Sequence, residues 1–332
     1  MKILDNLRKN TIILMIITII VLFFVLKDDF YEIITSLSHI NLVYVLLALL
    51  FFLLSIVLKG YVNYLIIDDQ EKVNKREAIK QNFISQFFNG ITPFSTGGEP
   101  MGVYMLVERG ISLPKATNNM VQSFIFYQVA LVICGTLAVI YNFIFQIFPK
   151  IQLLQKLVLL GFIINIIVVL LLLLTYSAKA THKMSQIVIK ILKVLRINVK
   201  EEEVSKKFDD YYKSFQVLKQ KKGLIIIGIT LNIISLFCLY LVPYWIVCGM
   251  RDTSQISIIE TLVSSAYVYL IGAFVPIPGA SGGIEYGFAQ FFGNFIEAPH
   301  TSAILIVWRF ITYYLGIIIG AILFNIRKKE NQ

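Results

Sequence analysis

Runs of apolar residues long enough to cross a bilayer recur along the chain, and they limit its fold more than any other feature. A helix needs about 20 mostly apolar residues to span the hydrocarbon core. Only helices and closed barrels satisfy every backbone polar group there. Such runs lie at 11–26, 42–58, 121–144, 157–174, 224–248 and 303–326. The alternating pattern of a membrane barrel is absent. With 57% hydrophobic residues and only 15% charged ones, the chain is more apolar than a soluble core requires. The sequence therefore predicts an all-α polytopic integral membrane protein, a single transmembrane domain over residues 1–332, with about six full spans.

The basic start "MKILDNLRKN" ahead of the run 11–26 resembles a signal peptide. It is followed by "KDDFYE" rather than a small-residue cleavage site, so a retained first helix is expected. Cys134, Cys238 and Cys248 fall in or beside apolar runs and read as small buried residues, with neither metal spacing nor a disulfide framework. His39, His182 and His300 share no metal-ligand spacing. No metal and no cofactor is expected, and no catalytic residue is assigned. No nucleophile elbow, phosphate-binding loop or dinucleotide fingerprint occurs.

Lys and Arg collect in cytoplasmic loops and so orient the spans. Lys2, Arg8 and Lys9 place the N-terminus inside. The next loop, with Asp28, Asp29 and Glu32 against Lys27, suits the outside. Lys59, Lys72, Lys75, Arg76 and Lys80 are counted as an inner loop. The stretch 177–223 holds twelve Lys and Arg against five acids and is a basic cytoplasmic loop. The C-terminal "RKKENQ" is also inside. On this scheme the zone at about 78–106 begins and ends inside, and the zone at about 257–292 begins and ends outside. Each is expected to be a re-entrant helical hairpin, one entering from each face.

The two zones share a pattern. Pro93, Gly97, Gly98 and Gly102 have the spacing P-x3-GG-x3-G, and Pro278, Gly282, Gly283 and Gly287 repeat it 185 residues later. Thr96 aligns with Ser281; Glu99 and Glu285 follow one position out of register. The flanking spans run in opposite senses, so the chain reads as an inverted-topology repeat with units at about 42–144 and 224–326.

A helix broken at membrane depth must border protein or a watery cavity. Its new N-terminus offers free N–H groups and partial positive charge, which suit an anion. Glycines allow close approach to a ligand. Intramembrane ionisable residues are functional candidates. The expected substrate-binding residues are therefore Pro93, Thr96, Gly97, Gly98, Glu99, Pro278, Ser281, Gly282, Gly283, Glu285 and Arg309, with Ser95 a weaker hydroxyl donor. The plainer alternative is structural ion pairing, Glu99 with Arg109 and Glu285 with Arg309. Glu260, near a helix start, reads as structural.

Within the basic loop, "KMSQIVIKILKVLR" puts Met184, Ile187, Ile191, Val194 and Leu195 on one helical face, with Lys183, Gln186, Lys190, Lys193 and Arg196 on the other. Such a helix either lies on anionic lipid through Lys183, Lys190, Lys193 and Arg196, or packs on the protein's own inner face. The net charge of +10 thus reports topology and membrane surface, and no direct nucleic-acid partner is expected.

The segments "FFNGITPFSTGGEP" and "VPIPGASGGIEYGF" resemble the membrane domain of the lysylphosphatidylglycerol synthase/flippase family, especially its short, free-standing bacterial members. The resemblance covers about residues 10–326. It implies a multi-pass protein of the bacterial cell membrane that moves lysyl-phosphatidylglycerol or a related phospholipid between leaflets. The implied outcome is a less negative surface and resistance to cationic antimicrobial peptides. In that family a separate cytoplasmic domain transfers lysine from lysyl-tRNA to phosphatidylglycerol. The longest polar stretch here, about 45 residues, is too short for such a domain. Enzymatic activity is therefore left open. One alternative is the membrane component of a phosphatidylglycerol lysyltransferase with a separate acyltransferase as partner; another is a carrier of a polyprenyl-phosphate-linked substrate.

Overall fold

A computed structural model describes residues 35, 38–67, 72–148, 151–174, 177–194, 200–250 and 256–330. The expected span at 11–26, Arg196 and Leu195 lie outside the described residues. Every regular element among the described residues is helical. Five helical stretches are long and apolar enough to cross a membrane: Leu42–Ile66, Leu113–Phe145, Gln152–Leu171, Lys222–Gly249 and Ala298–Arg327. They coincide with the five remaining expected spans.

Helix α1 (Leu42–Ile66) starts where the Asn41 side chain accepts the Val43 N–H at 3.0 Å. It runs eight residues past the expected end at Leu58, because nothing in "KGYVNYLI" breaks a helix. Lys59, expected in an inner loop, is therefore part of the span. Helix α2 (Lys75–Ile91) opens with a capping box between Asn74 and Glu77. It stops at Thr92, which Pro93 forces into an extended conformation. A one-turn 3-10 segment (Pro93–Ser95) leads into α3 (Gly98–Glu108). Helix α4 (Leu113–Phe145) carries Pro114 in its first turn and ends at Gln146 in the left-handed region. Helix α5 (Gln152–Leu174) completes the first half.

The basic loop is helical. Helix α6 (Ala178–Val194) packs on α7 (Glu201–Gln220), which in turn touches α4. Helices α8 (Lys222–Tyr240) and α9 (Val242–Gly249) form one apolar stretch interrupted at Leu241, two residues before Pro243. Helix α10 (Ile258–Gly272) is capped by Ser257 and Glu260, the structural role expected of Glu260. A second 3-10 turn (Pro278–Ala280) leads to α11 (Gly283–Phe292). Helix α12 (Ala298–Arg309), a π turn (Phe310–Tyr314) and α13 (Leu315–Glu330) make the last span. This span begins five residues before the expected Ala303, so Arg309 lies about 17 Å from its start at ~1.5 Å per residue.

Four relationships position the site. Helix α1 packs on α8, α2 on α13, and α4 on α10, while the two 3-10 turns pack on each other. Around the second turn the core is aromatic: Phe288 stacks on Trp308 with ring centroids 4.8 Å apart and on Phe292 at 4.1 Å. The outer surface is apolar, with Leu42, Leu46 and Leu50 exposed along one face of α1 and Leu137, Ile140 and Ile144 along α4.

Candidate functional site

Both chain breaks are stabilised from within. At the first, the carbonyls at the end of α2 lose their helical partners. Thr92 Oγ1 donates to the Phe88 carbonyl at 2.8 Å, and the Tyr313 hydroxyl donates to the Gly90 carbonyl at 2.8 Å. The N–H groups opening α3 are also partnered: Gly97 N donates to Thr92 Oγ1 at 2.9 Å and Gly98 N to Asn89 Oδ1 at 2.6 Å. At the second break the Glu285 carboxylate reaches back and accepts the Gly282 N–H at 2.6 Å. The start of α11 thus carries a built-in anion.

Glu285 has a second partner. Its Oε1 pairs with Arg309 Nη2 at 2.5 Å, and both side chains are about nine-tenths buried. Arg309 Nη2 also donates to the Gly279 carbonyl at 3.1 Å and to Ser281 Oγ at 3.3 Å. Its guanidinium lies 4.6 Å from the Tyr313 ring centroid. Gly279 has φ +64°, and a Cβ there would stand 2.3 Å from the Tyr313 ring, so the turn needs glycine on both counts. The Glu285–Arg309 pairing is the one the sequence offered as its structural alternative. The corresponding pair of Glu99 with Arg109 does not form: Arg109 binds Glu77 at 2.6 Å.

Behind the touching turns lies a cavity of about 330 Å³. Lys59, Glu99 and Arg309 line it, together with polar groups of Asn82, Gln86 and Tyr127. Ile164, Val168 and Leu239 supply an apolar side. A smaller pocket of about 20 Å³ is bordered by Lys59, Glu99, Asn89 and Gly98. The Lys59 ammonium sits 4.1 Å from the Tyr127 ring centroid, a cation–π contact.

Comparison with known families agrees with this architecture: the family described as lysylphosphatidylglycerol synthase TM region matches residues 11–320. The chain belongs to that family. None of the curated proteins compared with it matches.

Within this lysylphosphatidylglycerol synthase membrane region, the expected site residues divide into groups. Glu99 and Arg309 reach the cavity, and Gly98 borders its side pocket. Ser281 and Glu285 are buried beside Arg309 and act on it. Pro93 and Thr96 are exposed, with the Thr96 hydroxyl donating to the Pro93 carbonyl at 3.0 Å. Gly97, Pro278, Gly282 and Gly283 shape the turns without lining the cavity. Lys59, Asn82, Gln86 and Tyr127 were not singled out from the sequence. A signal for part of this set exists, since Asn82, Gln86 and Asn89 recur along α2 at helical spacing.

Proposed function

We propose that this chain is a lipid translocase of the bacterial cell membrane, acting on lysyl-phosphatidylglycerol or a related phospholipid. One observation carries this reading: a cavity of headgroup size, charged at Lys59, Glu99 and Arg309, has an apolar side at Ile164, Val168 and Leu239. Ligand cavities begin at about 300 Å³, so this one suits a headgroup while the acyl chains stay in the surrounding lipid. A wholly water-soluble substrate would gain nothing from that apolar side.

The two broken elements act as re-entrant hairpins. Their arms have 17 and 11 residues in the first and 15 and 10 in the second. At ~1.5 Å per residue each falls short of the roughly 30 Å of hydrocarbon. An inverted repeat of 42–144 and 224–326 is supported by exchange-related packing. Helix α2 of the first unit packs on the last span of the second, α10 of the second packs on α4 of the first, and α1 meets its counterpart α8. Alternating access then opens the cavity to one leaflet at a time by rocking one unit against the other. Both termini are cytoplasmic in this reading. The α6 surface bearing exposed Lys183, Ile187 and Lys190 faces the anionic inner leaflet. The physiological outcome is a less negative outer surface and resistance to cationic antimicrobial peptides.

The test is reconstitution in proteoliposomes with a fluorescent aminolipid in the inner leaflet. Outward appearance faster than in protein-free vesicles is expected. Equal rates across phosphatidylglycerol, lysyl-phosphatidylglycerol and polyprenyl-phosphate probes would defeat the proposal.

A further inference from the structure

The cavity borders two pairs of opposite charges, and they are not in the same state. Glu285 and Arg309 are closed on each other at 2.5 Å. Glu285 also accepts the Gly282 N–H, and Arg309 Nη2 also donates to the Gly279 carbonyl and Ser281 Oγ, while Arg309 Nε is buried with no hydrogen-bond partner among the described residues. At the other end Lys59 and Glu99 border both the main cavity and its side pocket. They lie within electrostatic reach of each other. Yet among the described residues no direct salt bridge joins them, and neither the ammonium nor the carboxylate has a protein hydrogen-bond partner.

Both side chains are half-buried and line the cavity, so a ligand there can meet the two charges directly. Two fixed contacts hold this pair open. Tyr127 draws the Lys59 ammonium onto its ring. Asn89 pins the start of α3 through Gly98 N, which fixes the backbone next to Glu99. The amides of Asn82, Gln86 and Asn89 surround the gap.

We infer that the open Lys59–Glu99 pair is a zwitterion subsite, in which Lys59 takes the phosphate and Glu99 the ammonium of a headgroup that carries both. The inference rests on the lipid-translocase reading and names the headgroup class for it. It moves the ligand's charges away from Glu285 and Arg309, which hold the second turn. A headgroup with phosphate alone leaves Glu99 unpaired and places two anions in one cavity. A headgroup with ammonium alone leaves Lys59 unpaired. The same chemistry would recognise a soluble phosphoethanolamine-like zwitterion, so the experiment must separate the two sources.

The full chain is purified in detergent with Trp245→Phe, leaving the cavity-lining Trp308 as the sole indole. Its fluorescence is titrated with short-chain phosphatidylethanolamine, short-chain phosphatidylglycerol, O-phosphoethanolamine and glycerol 3-phosphate. Phosphatidylethanolamine is expected to bind at least about tenfold more tightly than phosphatidylglycerol, the effect of one charge-assisted contact. Glu99→Gln should bring that ratio close to one. Lys59→Gln should weaken both lipids while keeping the ratio. Equal binding of the two lipids by the parent chain, or an unchanged ratio in Glu99→Gln, overturns the inference. Should a single variant fail to fold, K59E/E99K keeps the net charge; recovery of the ethanolamine preference supports the subsite, and a ratio near one sinks it. O-Phosphoethanolamine binding as tightly as the lipid would identify a soluble zwitterion as the source. Proteoliposome transport is scored separately. Transport with no headgroup preference defeats the subsite alone, whereas preference without transport defeats the translocase reading alone.

Discussion

The hydroxyl of Tyr313 donates to the carbonyl of Gly90 at 2.8 Å, across 223 residues of sequence. The bond ties the last span to the end of α2, where a helix terminus leaves carbonyls without intrahelical partners. The same ring lies against Gly279 of the second turn and under the Arg309 guanidinium. One tyrosine therefore touches both broken elements. Tyr313→Phe keeps the ring contacts and removes only the bond to Gly90. A buried carbonyl left unsatisfied costs about 1–3 kcal/mol. A lower melting midpoint in detergent is expected, with the family fold retained; an unchanged midpoint would mean that the Gly90 carbonyl finds another donor.

Glu285 and Arg309 form the most buried charge pair described. Removing one partner of such a pair typically costs about 3–5 kcal/mol, because the other charge stays buried and uncompensated. Glu285→Gln should be strongly destabilising. Arg309→Lys should also destabilise, since the shorter lysine does not carry a nitrogen to the Nη2 position from which Glu285, the Gly279 carbonyl and Ser281 are all reached. The double variant E285Q/R309Q removes both charges and should cost less than the sum of Glu285→Gln and Arg309→Gln. Melting midpoints of all four test this coupling, and strict additivity would argue that the pair is not energetically linked.

The sequence made the spans legible because hydrocarbon imposes length and composition on them: five of the expected runs coincide with apolar helices. The breaks were legible because Pro93 and Pro278 cannot continue a helix, but at the first turn the positive φ falls on Phe94 and Ser95 rather than on Gly97, and only the second turn uses glycines, Gly279 and Gly282, for it. Helix ends were less legible. Lys59 looked like the first residue of a basic loop, because a charge count carries no information on whether the helix continues beneath it. Partner choice was not legible either. Arg109 is ten residues from Glu99 in sequence, yet the turn at Gly110 and the start of α2 bring it to Glu77. Glu285 and Arg309 found each other as the sequence allowed, because α11 and α12 pack together. The cavity itself joins α1 to α5, α8 and α10 to α12 with both turns, a three-dimensional fact that no local pattern encodes.

Gly279 and Gly282 separate two costs that sequence alone would merge. Both have positive φ, +64° and +88°. A Cβ at Gly279 meets the Tyr313 ring at 2.3 Å, whereas one at Gly282 meets nothing within 4 Å. Alanine at Gly282, at φ +88° and ψ −50° and so in the strained γ-turn region, should therefore cost only backbone strain, about 1–3 kcal/mol. At Gly279 overpacking adds about 1–3 kcal/mol. Thermal melting should rank Gly279→Ala clearly below Gly282→Ala, and the reverse order would contradict the contact between the second turn and Tyr313.

The proposed orientation rests on charge: twelve basic residues against five acids in 177–223 would put α6 and α7 on the cytoplasmic side. Glu297, which precedes α12, then faces outward. Both Glu297 and Lys206 are exposed, so a cysteine at either position is accessible to a reagent on its own side of the membrane. The native thiols are first replaced, with small residues at buried Cys134 and Cys238 and at half-buried Cys248. In intact cells an impermeant maleimide should label Glu297→Cys and spare Lys206→Cys; after lysis both should react. Labelling of Lys206→Cys from outside would invert the chain. The hairpin containing Glu99 would then enter from the outer face, and the Lys59–Glu99 end of the cavity would belong to the opposite leaflet.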